Sequence, residues 1–181
     1  MGDKPSYLGL LNAIAIAESD AECLLQAWAD VSPNDDVRDL LRFVALREGE
    51  HGKAFAKRIS ELGFAVRPKA AADAEKRMKL ALSTKLTDRQ KFEKLGFGRD
   101  ESADGPDVFT GMFADTTIDI QTGALLGRYI AEERDTGRRL RACYASLVET
   151  DECEPAGVPE TVDERLDRIE RMLEKLVAER S

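Results

Sequence analysis

Two long stretches of helical period face each other across one short turn, and no other feature of the chain constrains its fold as strongly. In the first, Leu10, Ile14, Ala17, Ala21, Leu24 and Trp28 recur at alternating spacings of four and three, and Leu8, Leu11, Ala15, Glu18, Glu22 and Leu25 form a second stripe beside them. Both carry the period of an α-helix buried over a broad face. This reading places a helix over residues 6–29 with Ser6 as its N-cap. Ser32-Pro33-Asn34-Asp35-Asp36 then combines a helix stop with the short polar side chains that cap the next one. A second helix follows over 35–62 and ends at Gly63 as a left-handed C-cap. So short a connection makes the two helices antiparallel neighbours.

The rest of the chain continues in helices. Residues 70–82 and 87–95 read as shorter ones, with Thr87 as N-cap and Gln90 at the capping-box position of the second. Glycines 96 and 98 and Asp104-Gly105-Pro106 break the pattern before the next strong helix, which runs from residue 116 or 117 to 147. Its stripe is Thr122, Leu126, Tyr129, Glu133, Thr136, Leu140, Cys143 and Leu147. The expected organisation is a helical bundle over 1–150, a linker over 151–159 and an amphipathic helix over 160–181. In that last segment Val162, Leu166, Ile169, Leu173 and Leu176 form a narrow heptad seam, which favours a coiled-coil partner and homo-oligomerisation.

Composition narrows the function. The net charge of −8 works against general nucleic-acid binding, which needs a positive field to displace counterions from phosphate. Cys23, Cys143 and Cys153 have no C-x-x-C spacing, so a thiolate zinc site is not expected. Cys23 and Cys143 read as buried small hydrophobes and Cys153 as an exposed thiol. An odd number of cysteines without a signal peptide fits a reducing, cytoplasmic setting, and no apolar stretch reaches the length of a membrane span.

The candidate chemistry lies where polar residues interrupt apolar stripes. The core stripe of the second helix reads Val37, Leu41, Val44, Glu48, His51, Phe55 and Leu62. An inward carboxylate costs on the order of several kcal/mol unless something pairs with it. Counted from the turn, Glu18 and Glu48 lie at nearly the same height of an antiparallel hairpin, with His51 one helical turn beyond Glu48. Three potential metal ligands therefore converge between two helices. Glu132 and Asp135, set among Arg134, Arg138, Arg139 and Arg141, read as surface ion pairs. Tyr129 reads as a packing aromatic with a satisfied hydroxyl.

The stretches Asn12-Ala13-Ile14-Ala15-Ile16-Ala17-Glu18 and Ala45-Leu46-Arg47-Glu48-Gly49-Glu50-His51-Gly52 resemble the ferritin-like superfamily, and rubrerythrin-type proteins above all. The resemblance covers residues 6–63 well and 107–148 in part, and the tail not at all. It implies an antiparallel four-helix bundle. It also implies a di-iron or di-manganese centre held by one Glu from each of two helices and a Glu-x-x-His pair from each of the other two. Here the second half departs from the pattern. Aligning Glu133 with Glu48 puts Thr136 where the second histidine should stand, and His51 is the chain's single histidine. Threonine is a poor ligand beside imidazole and carboxylate. Asp115 and Asp119 extend the stripe of Glu133 backwards and are candidates for the remaining carboxylate position.

Three states follow from this reading. One is a two-metal site with substituted ligands and ferroxidase- or peroxidase-type chemistry. The second is a single iron, manganese or zinc held by Glu18, Glu48 and His51. The third is a metal-free bundle in which Glu48 pairs with a protonated His51, Arg47 or Arg128, and which acts through oligomerisation or a partner.

Overall fold

The polar turn behaves as its residues dictate. The Asn34 side chain accepts a hydrogen bond from the Val37 N–H at 3.1 Å, and α2 (Asp35–Glu61) starts there with Asp35 and Asp36 in its first turn. Acids at that end are favoured by the helix dipole. At the other end Gly63 has φ +83°, its N–H bonds the Ser60 carbonyl, and the Phe64 N–H reaches back to Ile59. This is a Schellman closure, with Phe64 and Ile59 packed in the same apolar cluster.

The computed structural model describes residues 4–69, 71–98 and 110–153. Among them every long element is a helix: α1 (Leu8–Ala29), α2, α3 (Ala74–Ala81), α4 (Asp88–Leu95) and α5 (Ile120–Cys153), with a 3-10 turn at Thr110–Phe113. The chain divides into two compact units, Met1–Val148 and Glu149–Ser181. The helix expected over 160–181 and the Cys153 thiol lie outside the described residues. Among the described residues no helix is long and apolar enough to cross a membrane.

Several boundaries differ from expectation. Ser6 is not a cap: Tyr7 holds that position without a side-chain bond, and the Ser6 hydroxyl is drawn away to Asp115 and Thr117. The third helix starts at Ala74, and α5 starts at Ile120 and runs on to Cys153. Cys23 is exposed, because the buried face of α1 centres on the Leu8–Leu11–Ala15–Glu18–Leu25 stripe, and Cys143 on α5 is only partly buried. The capping box of α4 forms as read, with Thr87 and Gln90 each bonding the other's backbone.

Helices α1, α2 and α5 pack side by side, α2 antiparallel to both. Two apolar clusters result. One gathers Leu24, Leu25 and Trp28 with Val37, Leu41, Val44, Phe92 and Leu140. The other gathers Leu8, Leu11 and Ile14 with Phe55, Ile59, Leu126 and Ile130. Near the interhelix turn, Asp88 at the start of α4 accepts from the Trp28 indole and the Ser32 hydroxyl, each at 2.7 Å, and pins the short α3–α4 pair to the bundle.

Between the clusters, α1 and α2 approach closely at two glycines of α2. A Cβ built on Gly52 would lie 2.7 Å from Ser19 Oγ and 3.2 Å from the Ser19 backbone nitrogen. For one built on Gly49 the nearest atoms are those of the movable Glu22 carboxylate. Gly52→Ala is therefore expected to push the helices apart and destabilise by about 1–3 kcal/mol. Gly49→Ala is expected to be neutral or to stabilise by up to about 1 kcal/mol through helix propensity. Thermal or urea unfolding of the two variants checks this; equal losses would refute the steric account.

Candidate metal centre

The layer between the two apolar clusters is polar on all three long helices. Glu18 comes from α1, Glu48 and His51 from α2, Glu133 and Thr136 from α5. Glu18, Glu48 and His51 are each more than nine-tenths buried, and Glu133 is partly so. Glu18, Glu48, His51 and Glu133 each offer one ligand atom, and these atoms all lie within 4.8 Å of one another, so the group can hold a metal ion.

The two nitrogens of His51 face opposite ways. Nδ1 looks into the layer, 3.3 Å from Glu133 Oε1 and 3.5 Å from Glu48 Oε2. None of these three buried atoms makes a hydrogen bond. Nε2 lies 2.7 Å from Glu132 Oε2, whose other oxygen accepts from Arg128 Nε at 3.0 Å. With a proton on Nε2, that contact leaves the Nδ1 lone pair aimed at the carboxylates. A carboxylate behind a histidine in this way orients the ring and raises its basicity as a ligand. The Tyr129 hydroxyl donates to Glu18 Oε1 at 2.7 Å, and its ring stands edge-on to His51 at 5.1 Å.

Without an ion, the layer must balance its charge with protons. Burial, then the neighbouring Glu48, pushes the Glu18 carboxyl up to about 9. Burial alone would lower His51, but Glu133, Glu48 and Glu132 together raise it to about 10. Burial also raises Glu48, yet His51 and Glu18 hold it below the ordinary carboxylate value. Glu133 is raised, by burial first and then by Glu48 against the pull of His51. At neutral pH the metal-free layer thus carries a protonated Glu18 and a protonated His51 facing the Glu48 carboxylate.

The structure brings Glu18, Glu48, His51 and Glu133 together. Asp115 and Asp119, candidates for the remaining carboxylate position, are not among the grouped ligands. Asp119 caps α5, its Oδ1 accepting from the backbone N–H groups of Gln121 and Thr122, and it bonds Tyr7 and Arg58. Asp115 is taken by Ser6 and Thr117. Thr136 is buried on the stripe, but its hydroxyl accepts from Arg47 at 3.1 Å. Glu132, expected as a surface ion pair, does pair with Arg128, and it also holds His51. Asp135 pairs with Arg47, Arg138 and Arg139, as its arginine-rich setting suggests.

Fold and site together define an all-α protein with a buried carboxylate–histidine cluster able to hold a metal ion. Comparison of the chain with protein-family models, with curated proteins and with solved structures finds no match.

Proposed function

We propose that this chain is a ferritin-like metal-binding protein whose bundle takes a single divalent transition ion between α1, α2 and α5. One observation carries the reading: Glu48 Oε2, His51 Nδ1 and Glu133 Oε1 are buried, make no hydrogen bond and are turned towards one another. Buried polar atoms nearly always make hydrogen bonds, so three at one point that make none suit a shared cation. Three carboxylates and one imidazole suit Fe²⁺, Mn²⁺ or Zn²⁺. A single ion is favoured over a pair because Thr136, Asp115 and Asp119 all have other partners.

Glu48 and Glu133 bring anionic oxygens, His51 its Nδ1, and Glu18 a third carboxylate oriented by Tyr129. Glu132 holds the imidazole in place from behind. When bound, iron or manganese supplies redox chemistry with oxygen or peroxide, and an oxidoreductase role depends on one of those two metals being native.

The second reading is a metal-free scaffold. It is favoured by the ease with which protonated His51 sits among Glu48, Glu132 and Glu133. Metal analysis by plasma mass spectrometry, on protein from iron-supplemented cells purified without chelators, separates the two, with Glu48→Ala in parallel. About one ion per chain, lost in the variant, supports the single-ion centre; a stoichiometry near two restores the di-metal arrangement, and none favours the scaffold. The heptad seam of 160–181 supports a homo-oligomer in either case. Deleting residues 158–181 is expected to lower the particle mass in light scattering, and an unchanged mass removes the tail from assembly.

A further inference from the structure

The centre has a solvent-facing neighbour on its α2–α5 side. There a pocket of about 250 Å³ is lined by Glu50, His51 and Ala54 from α2 and by Leu125, Arg128 and Tyr129 from α5. Its floor is made by His51 and Tyr129, the two rings that also border the ligand group. Apolar clusters lie above and below the layer, and the close approach of α1 and α2 at Gly52 narrows that seam. Glu132 stands beside the pocket, partly exposed, with one oxygen on His51 and the other on Arg128. Arg128 is largely exposed, so that ion pair is weakly held and easily exchanged with solvent.

We infer that this pocket is the loading vestibule of the centre, the path by which a hydrated divalent cation passes from solvent to the four ligands. The inference rests on the single-ion reading. Glu50 at the mouth and Glu132 beside it supply the negative potential that draws a cation in, and Arg128 opposes it. Glu132 exchanges Arg128 for the incoming ion. His51 gives up its contact with Glu132 while the ion passes, and regains it once the ion lies on the Nδ1 side.

Stopped-flow mixing with Co²⁺, paired with equilibrium titration of the same samples, tests this on the full-length chain. Ala54→Phe fills the pocket while leaving all four ligands in the chain. It is expected to slow both association and dissociation by about tenfold or more, since a blocked gate acts on both rates. Its equilibrium affinity should stay near that of the wild type. Arg128→Gln removes the cation from the lining and is expected to speed association a few-fold at low salt, with the gain vanishing as ionic strength rises. Leu125→Phe serves the same purpose as Ala54→Phe should that variant fail to fold. Wild-type affinity with an unchanged association rate in a folded pocket-filled variant overturns the vestibule and leaves the metal centre standing. Absence of Co²⁺ binding by the wild type overturns both.

Discussion

Replacing His51 by alanine is expected to weaken divalent metal binding by more than the roughly 10–100-fold that loss of a supporting carboxylate costs. The imidazole is the one nitrogen donor of the group, and its removal also empties the space between Glu48 and Glu133. Glu132→Gln provides the internal standard. An amide keeps the hydrogen bond to Nε2 but not the charge, so its loss should fall within that roughly 10–100-fold range. Competition against a chromophoric chelator measures both. If His51→Ala and Glu132→Gln weaken binding equally, Nδ1 is not a ligand.

The second large effect is on protons. At pH 7 the metal-free layer holds a proton on Glu18 and one on His51, groups raised to about 9 and about 10. An ion among them must displace both, so calorimetric titration in buffers of different ionisation enthalpy should count about two protons released per ion, and affinity should climb steeply with pH. Stability moves in the opposite direction. Both groups bind their protons more tightly folded than unfolded. Their stabilisation is complete below the unfolded values, 4.5 for Glu18 and 6.5 for His51, and is lost as pH rises through about 9 and about 10. Glu48 has the reverse sign: its value is lowered, so its contribution is lost as pH falls below the ordinary carboxylate range. The apoprotein's melting temperature should therefore decline between about pH 6 and about pH 10, while the increment added by metal should grow. A flat apoprotein profile over that range would mean that the layer does not hold these protons.

The helical hairpin was legible because a period and a turn are both local signals, and because antiparallel register about a short turn reduces to counting residues. That arithmetic makes Glu18, Glu48 and His51 visible as a group; Glu133 enters only through the family resemblance, as the counterpart of Glu48 at a second metal position, and the structure places it in the same group. Glu132 was not visible. One step along a helix turns a side chain by about 100°, so a residue beside the stripe reads as outward. Only the packing of α5 on α2 shows that this outward direction meets the far nitrogen of His51. Asp115 and Asp119 misled for a different reason. Extending the stripe backwards assumed that the helix had already begun, but the period means nothing before Ile120, and Asp119 is spent on starting it. Asp88 gave no warning either, since its partners Trp28 and Ser32 lie more than fifty positions away.

The split core has a consequence for how the molecule comes apart. With a charged stratum across its middle, the bundle has no continuous apolar column to bind its two ends into one cooperative block. Each end is therefore expected to open as a unit of its own, joined to the other by three helical backbones and by whatever fills the stratum. Protons fill it one residue at a time; an ion gripped by all three helices acts as a keystone. In the metal-free chain, amides near Trp28 and amides near Phe55 should open to hydrogen exchange independently. In the loaded chain they should open together.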